Sequence, residues 1–225
     1  RNVFNLDSTH LDARRKMAEL LLAQDTRAGA YQQYLRLAEQ APDDLDSRII
    51  LIELAFLDAN WDEVERHGAR VGEIAPDKPA VEAIQLVREY RAATLDRDTA
   101  LLTELGLRAE DKLAEHTENP LLRNVIVDRS IRQQDFDRAL SAIDWMINYD
   151  PETTRHYEER LRVLWQMGDV EGVEGHLRDM VVRFADDPTH RETLLRFYIS
   201  QRDFDAAEKF LREAISNADP ADTQP

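Results

Sequence analysis

Apolar positions recur with helical spacing over most of the chain, and short polar turns interrupt them at regular intervals. Over residues 11–24 the pattern places Met17, Leu20, Leu21 and Leu22 on one helix. Asp25-Thr26 breaks it, and Ala30, Tyr34 and Leu37 carry a second helix to a stop at Ala41-Pro42. Asp46 or Ser47 can then cap a helix running to Asp58, Trp61 opens its partner, and Ala75-Pro76 ends that one. Proline lacks the amide donor and clashes with the preceding turn, so Pro42 and Pro76 mark helix ends. The same pattern predicts helices at 79–94 with 98–116, 120–132 with 137–148, 154–167 with 170–184, and 189–200 with 206–217.

These pairs share a period. Gln134-Asp135-Phe136-Asp137-Arg138-Ala139 returns as Arg202-Asp203-Phe204-Asp205-Ala206-Ala207, 68 residues later, and the midpoint holds Gly168-Asp169-Val170 with Val173. Trp61 and Val64 stand 34 residues after Arg27 and Ala30, and Pro76 stands 34 after Pro42. A fixed period of this length is the signature of stacked helix-turn-helix repeats, each burying its apolar face on its neighbours. From Trp61 to Phe136 the distance is 75, two repeats plus seven residues. The second helix of the middle pair, at 98–116, is therefore expected to be a turn or two longer than its equivalents, with a bend or protruding surface there. Residues 1–7 read as the tail of a helix whose beginning is missing, 8–218 as the repeat region, and the polar, proline-bearing 219–225 as a disordered tail.

With its periodic residues in hand, the chain resembles the tetratricopeptide-repeat (TPR) family, in particular bacterial members. Trp61, Phe136 and Phe204 match the aromatic that opens the family's second helix. Ala30, Ala100, Ala139 and Ala207 match the small residue that follows, with Val64 and Val173 as looser fits, and Pro42, Pro76 and Pro151 match the terminal proline. The resemblance implies an all-α fold, a right-handed superhelix or solenoid of about six antiparallel helix pairs, whose first helices line a concave groove that binds protein partners. Two departures stand out. Ala18 supplies the family's small residue in the middle of the first helix, but Ile52, Val87, Val127, Leu161 and Leu195 replace it elsewhere, which should widen the crossing within each pair. The solvating last helix common in the family has no counterpart, so apolar surface at both ends, around Phe4 and Phe210, predicts weak end-to-end self-association.

Composition narrows the function. The 225 residues are 43% hydrophobic and 33% charged, which suits a helical array with a continuous core. A formal charge of −16 repels phosphate backbones, and the arginines are interspersed with acids, so nucleic acid is not an expected partner. The chain has no cysteine, hence no disulfide, thiolate metal site or cysteine nucleophile. No apolar run is long enough for direct membrane insertion.

The sequence holds no concentrated catalytic constellation. The histidines at 10, 67, 116, 156, 176 and 190 form no HExxH pair; His156 and His176 share one predicted helix pair and read as surface imidazoles. Gly168, Gly172 and Gly175 lack the strand and lysine of a phosphate cradle, and Gly168 fits better as a helix stop. Asp43-Asp44, Asp62-Glu63 and Asp186-Asp187 fall in turns at helix starts, where acids complement the helix dipole. The chain is accordingly read as no enzyme, with neither metal nor cofactor.

Two rows on the first helices are candidates for partner binding in the groove. Leu22, Phe56, Ile131, Trp165 and Ile199 recur late in successive first helices and either grip a peptide or helix or complete the packing with the second helices; Phe56 and Trp165 are the expected exposed anchors. One turn earlier stand Glu19, Glu53, Arg88, Asp128, Arg162 and Arg196, whose sign changes along the array. Such a gradient would orient a partner, whereas Glu158 with Arg162 and Glu192 with Arg196 can instead form local i,i+4 pairs. The basic and Asn pattern by which some family members clamp a terminal carboxylate is not reproduced. The expected function is a non-catalytic scaffold for a protein or peptide. Its resemblance to bacterial members implies an assembly factor at the cell envelope or periplasm, held there by an upstream segment, with a cytoplasmic location as the alternative. The alternative is a ligand-sensing or regulatory module of a larger protein.

Overall fold

The computed structural model describes residues 10–24 and 26–217. The segments read as a helix tail at 1–7, with Phe4, and as a disordered tail at 219–225 lie outside the described residues, as does Asp25. Twelve α-helices and no strand occur among the described residues. In order they pair as α1 (Leu11–Ala23) with α2 (Arg27–Gln40), α3 (Leu45–Leu57) with α4 (Trp61–Ile74), and α5 (Pro79–Asp96) with α6 (Thr99–Glu115). There follow α7 (Pro120–Arg132) with α8 (Phe136–Tyr149), α9 (Thr154–Met167) with α10 (Val170–Arg183), and α11 (Pro188–Gln201) with α12 (Phe204–Asn217). This is an all-α helical-repeat fold.

The helices begin where a short polar side chain can satisfy their orphan amides. Asn60, Asp98, Asp135, Asp169 and Asp203 each accept from the backbone amide three residues on, opening the second helices. Before each of these caps the chain must reverse within two residues, and it does so through one left-handed residue: Ala59, Arg97, Gln134, Gly168 and Arg202, all with φ between 55° and 71°. Gly168 is thus a helix stop. Between pairs a second device recurs, one that no periodic apolar pattern announces. Arg48, Arg123 and Arg191, each the fourth residue of a first helix, donate to the carbonyls of Pro42, Thr117 and Ala185 at 2.8, 2.9 and 2.9 Å. Each guanidinium thereby satisfies a turn carbonyl left free where the preceding helix ends.

The seven-residue excess is confined to the third pair, but both of its helices share it. α5 has 18 residues against 13 in α3, and α6 has 17 against 14 in α4. α6 is thus about one turn longer than α4, and the lengthening of α5 is the part that the expectation for the second helix did not cover. The same insertion displaces the small-residue frame. Ala30, Ala139 and Ala207 are buried four residues after their caps, but in α6 that place belongs to buried Leu102, and Ala100 is exposed.

The chain divides into two compact units at Thr153–Thr154. In the first, consecutive helices α1 to α8 pack in turn, and the first helices α3 and α7 also approach one another directly. Its core holds Leu37, Leu51, Ile52, Leu105, Leu122 and Ile143. The second unit, α9 to α12, buries Val163, Leu177, Met180, Leu194 and Tyr198. In this unit Phe210 is half-buried, its ring 6.3 Å from that of Tyr198.

Candidate partner-binding site

The first helices carry both rows of candidate residues, and their positions on the helices separate them. In the apolar row, Phe56 is 0% exposed, its ring edge-on to Trp61 at 5.6 Å. The reading of Phe56 as an exposed anchor is thus corrected: the ring belongs to the core. Ile131 is half-buried. In the second unit Trp165 and Ile199 are 44% and 51% exposed, and Trp165 lies edge-on to Phe197 at 5.6 Å.

In the charged row, almost every member is occupied by a neighbour. Glu19 pairs with Lys16 at 2.6 Å. Asp128 accepts from the Tyr90 hydroxyl and from Arg132, both at 2.6 Å. Arg162 reaches Glu159 at 3.3 Å, and Arg196 reaches Glu192 at 3.1 Å. Arg88 does not share the row: it turns toward α4, donates to Glu65 at 2.8 Å and lies against Gly68, where a β-carbon would stand 2.6 Å from its Cδ. The frame is still regular here: α5 begins 34 residues after α3, so Val87 occupies the place of Glu53, and Arg88 is rotated one residue, about 100°, around the helix.

Glu53 differs from them all. It is half-buried on α3, and no side chain or backbone group of the described residues hydrogen-bonds to it or pairs with it. Burial without compensation raises its carboxyl above the ordinary value of 4.5. The carboxylate lines a cavity of about 780 Å³ within the first unit, bounded by Leu22 of α1, Arg27 and Ala28 of α2, Ile50, Leu54 and Leu57 of α3, Asp58, and the segment Tyr149–Glu152 that ends α8. Arg27 donates to both oxygens of Asp150 at 2.7 Å and also reaches Asp58 at 3.4 Å and the Thr153 hydroxyl at 3.2 Å. Tyr149 stacks on Trp145, centroids 4.9 Å apart; burial, then the carboxylates of Glu53 and Asp150, raise its phenol. Sequence reasoning found Glu53 through the period but missed Arg27 and Asp150. They are 123 residues apart, and no local pattern links them.

Four of the six histidines, His67, His156, His176 and His190, are buried, which corrects the reading of His156 and His176 as surface imidazoles. Two occupy the same place, seven residues after the cap of a second helix, and both are held by an arginine. Arg48 donates to His67 Nδ1 at 3.2 Å, and Arg160 to His176 Nδ1 at 3.3 Å. His176 Nε2 then donates to the Tyr157 carbonyl at 2.8 Å. Burial, with Arg66 and Arg48 nearby, lowers His67 to about 4, so it is neutral at neutral pH. The paired turn acids also have structural tasks: Asp44 caps α3 and pairs with Arg15 at 2.6 Å, Asp43 pairs with Arg70 at 2.7 Å, and Asp187 caps α11. Among the described residues no cluster of three or more His, Asp or Glu is placed to hold a metal ion. No described helix is long and apolar enough to cross a membrane.

The paired helices, the left-handed turn within pairs and the 34-residue frame define the class: the chain has the tetratricopeptide-repeat fold. No family model matches its sequence, nor does any curated protein. Solved structures do. A chain of the APC/C hetero-tetramer Cut9–Hcn1 aligns over 96% of this chain with a TM-score of 0.60 and 9% identity, and this chain spans 41% of its length. PilW, described as a widely conserved type IV pilus biogenesis factor, aligns over 92% of this chain and 93% of its own, with a TM-score of 0.55 and 12% identity. TTC0263, a thermophilic TPR protein of Thermus thermophilus, aligns over 84% and 99%, with a TM-score of 0.53 and 13% identity.

Proposed function

We propose that the chain is a non-catalytic scaffold that binds a protein or peptide partner. The observation that carries this reading is the cavity beside α3, where an unpaired carboxylate, Glu53, stands among apolar side chains of a repeat fold. A carboxylate left half-buried without a counter-charge is costly to the free protein, and a partner that supplies the missing contact recovers that cost. In the second unit Trp165 and Ile199 present the apolar area that interface anchors supply. The non-catalytic part is supported by His67 and His176, which are committed to internal hydrogen bonds, and by turn acids that cap helices. An assembly role at a bacterial envelope is the finer form of the proposal. It draws support from the match to PilW, a pilus biogenesis factor, over nearly the whole of both chains.

The test is site-specific photo-cross-linking in the source organism, with the photoreactive residue placed at Leu57 and, separately, at Ile199. A discrete polypeptide adduct is expected from at least one position and not from exposed Val182 on α10. Equal labelling at all three positions, or none, would sink the scaffold reading.

A further inference from the structure

The charge lining the α3 cavity is one-sided. Glu53, Asp58, Asp150 and Glu152 face it with four carboxylates, against the single guanidinium of Arg27. That guanidinium is committed: both of its terminal nitrogens are engaged, one by Asp150 and the other by Asp58 and Thr153. Glu53 is left with no cation, while Ile50, Leu54 and Leu57 form an aliphatic wall beside it. A short hydrated cation would gain from the charge and nothing from the wall. A purely apolar side chain would gain from the wall and leave the acid buried deeper without a partner, which is costlier still. Lysine and arginine carry a charged head on a methylene stem and satisfy both surfaces at once.

We propose that this cavity receives the side chain of a lysine or arginine from a partner polypeptide, its cationic head on the Glu53 carboxylate and its stem along Ile50, Leu54 and Leu57. The inference rests on the scaffold reading and names the occupant. The net charge of −16 favours the same partner, since it steers basic segments toward the chain and repels acidic ones.

The experiment titrates the full chain, isotope-labelled, with the acetylated and amidated pentapeptides Ala-Leu-Lys-Leu-Ala, its Arg and Gln counterparts, and free spermidine. Backbone amide shifts of residues 50–57 are the readout. The Lys and Arg peptides should shift these amides, and the Gln peptide should bind at least about tenfold more weakly, the usual penalty for losing one partner of a desolvated charge pair. Glu53→Gln, which keeps the side chain's shape, should abolish the difference between the Lys and Gln peptides while unfolding at no lower denaturant concentration than wild type. Equal affinity for the Lys and Gln peptides, or unchanged Lys binding by Glu53→Gln, overturns the proposal. So does spermidine matching the Lys peptide, which would make the occupant a free polyamine, and so does the absence of shifts at about 10 mM peptide, beyond the range of a specific site. Each of these leaves the cross-linking at Leu57 untouched, so loss of the cation site and loss of the scaffold reading are told apart.

Discussion

The guanidinium of Arg27 donates to both carboxylate oxygens of Asp150 at 2.7 Å, joining the start of α2 to the end of α8 across 123 residues of sequence. Asp150 is buried and Arg27 half-buried, so the pair is shielded more than a surface ion pair. It forms one border of the Glu53 cavity, far in sequence from the helix that carries the acid.

Removing Arg27 should leave Asp150 buried with only the Thr153 hydroxyl as a donor. Arg27→Ala is expected to cost about 1–3 kcal/mol, and Arg27→Ala with Asp150→Asn less than the sum of the single changes. A double-mutant cycle by urea unfolding reads the coupling. A coupling below about 0.5 kcal/mol would mean that the Arg27–Asp150 pair contributes little.

The Glu53 carboxyl, raised by burial, has a pH signature of its own. Its folded pKa lies above its unfolded value, so the folded state holds the proton more tightly between the two. Stability from this group therefore falls as pH rises through that window and stays lower at neutral pH. Glu53→Gln removes the penalty. The variant should unfold at higher urea than wild type at pH 7, and the gap should close below the ordinary value of 4.5. A gap of equal size on both sides of that value would assign it to packing.

The helix pairs were legible because one physical rule, apolar residues on one face and a cap at each start, repeats every 34 residues. The boundaries of α7 and α9 follow from the pattern without error. The site was legible only in part. Glu53 lies in the regular stretch, where counting residues is the same as turning the helix. Around the third pair counting fails: Arg88 stands 35 residues after Glu53, one residue off its row, and past the insertion the small-residue place falls on Leu102, two residues beyond Ala100. Phe56 shares its place in the repeat with the exposed Trp165, so position in the repeat does not fix burial; which neighbours cover the ring does. The Arg27–Asp150 pair depends on how a whole eight-helix unit closes on itself, and no short-range pattern encodes that.

His67 has the opposite pH behaviour from Glu53. Its folded value is near 4 and its ordinary value 6.5, so the unfolded chain binds more protons between them and stability is lost as pH falls through that window. The loss from this group should reach up to about 3 kcal/mol at the acid end. Gln33 occupies the same place in the first pair, where its Oε1 accepts from Arg14 at 3.0 Å. His67→Gln should therefore keep the arginine contact and lose the acid sensitivity. Urea midpoints of wild type and variant, compared at pH 7 and near pH 4, measure the difference. Parallel declines would show that His67 does not titrate in that window.

Phe56 and Trp165 stand at the same place in their repeats, yet substitution should separate them. Phe56 has no exposed surface, so Phe56→Ala should empty a core site and cost about 3–5 kcal/mol in the first unit. Trp165 is 44% exposed and touches Phe197 edge-on, so Trp165→Ala should cost the second unit about 1–2 kcal/mol. Native-state hydrogen exchange resolves the two units, because protection of Ile52 reports on one and protection of Leu177 on the other. The binding consequence runs the other way. If Trp165 is an anchor, its loss should weaken cross-linking at Ile199 while Leu177 stays protected. A variant whose Leu177 protection collapses while the cross-link persists would make Trp165 a packing residue and remove it from the binding surface.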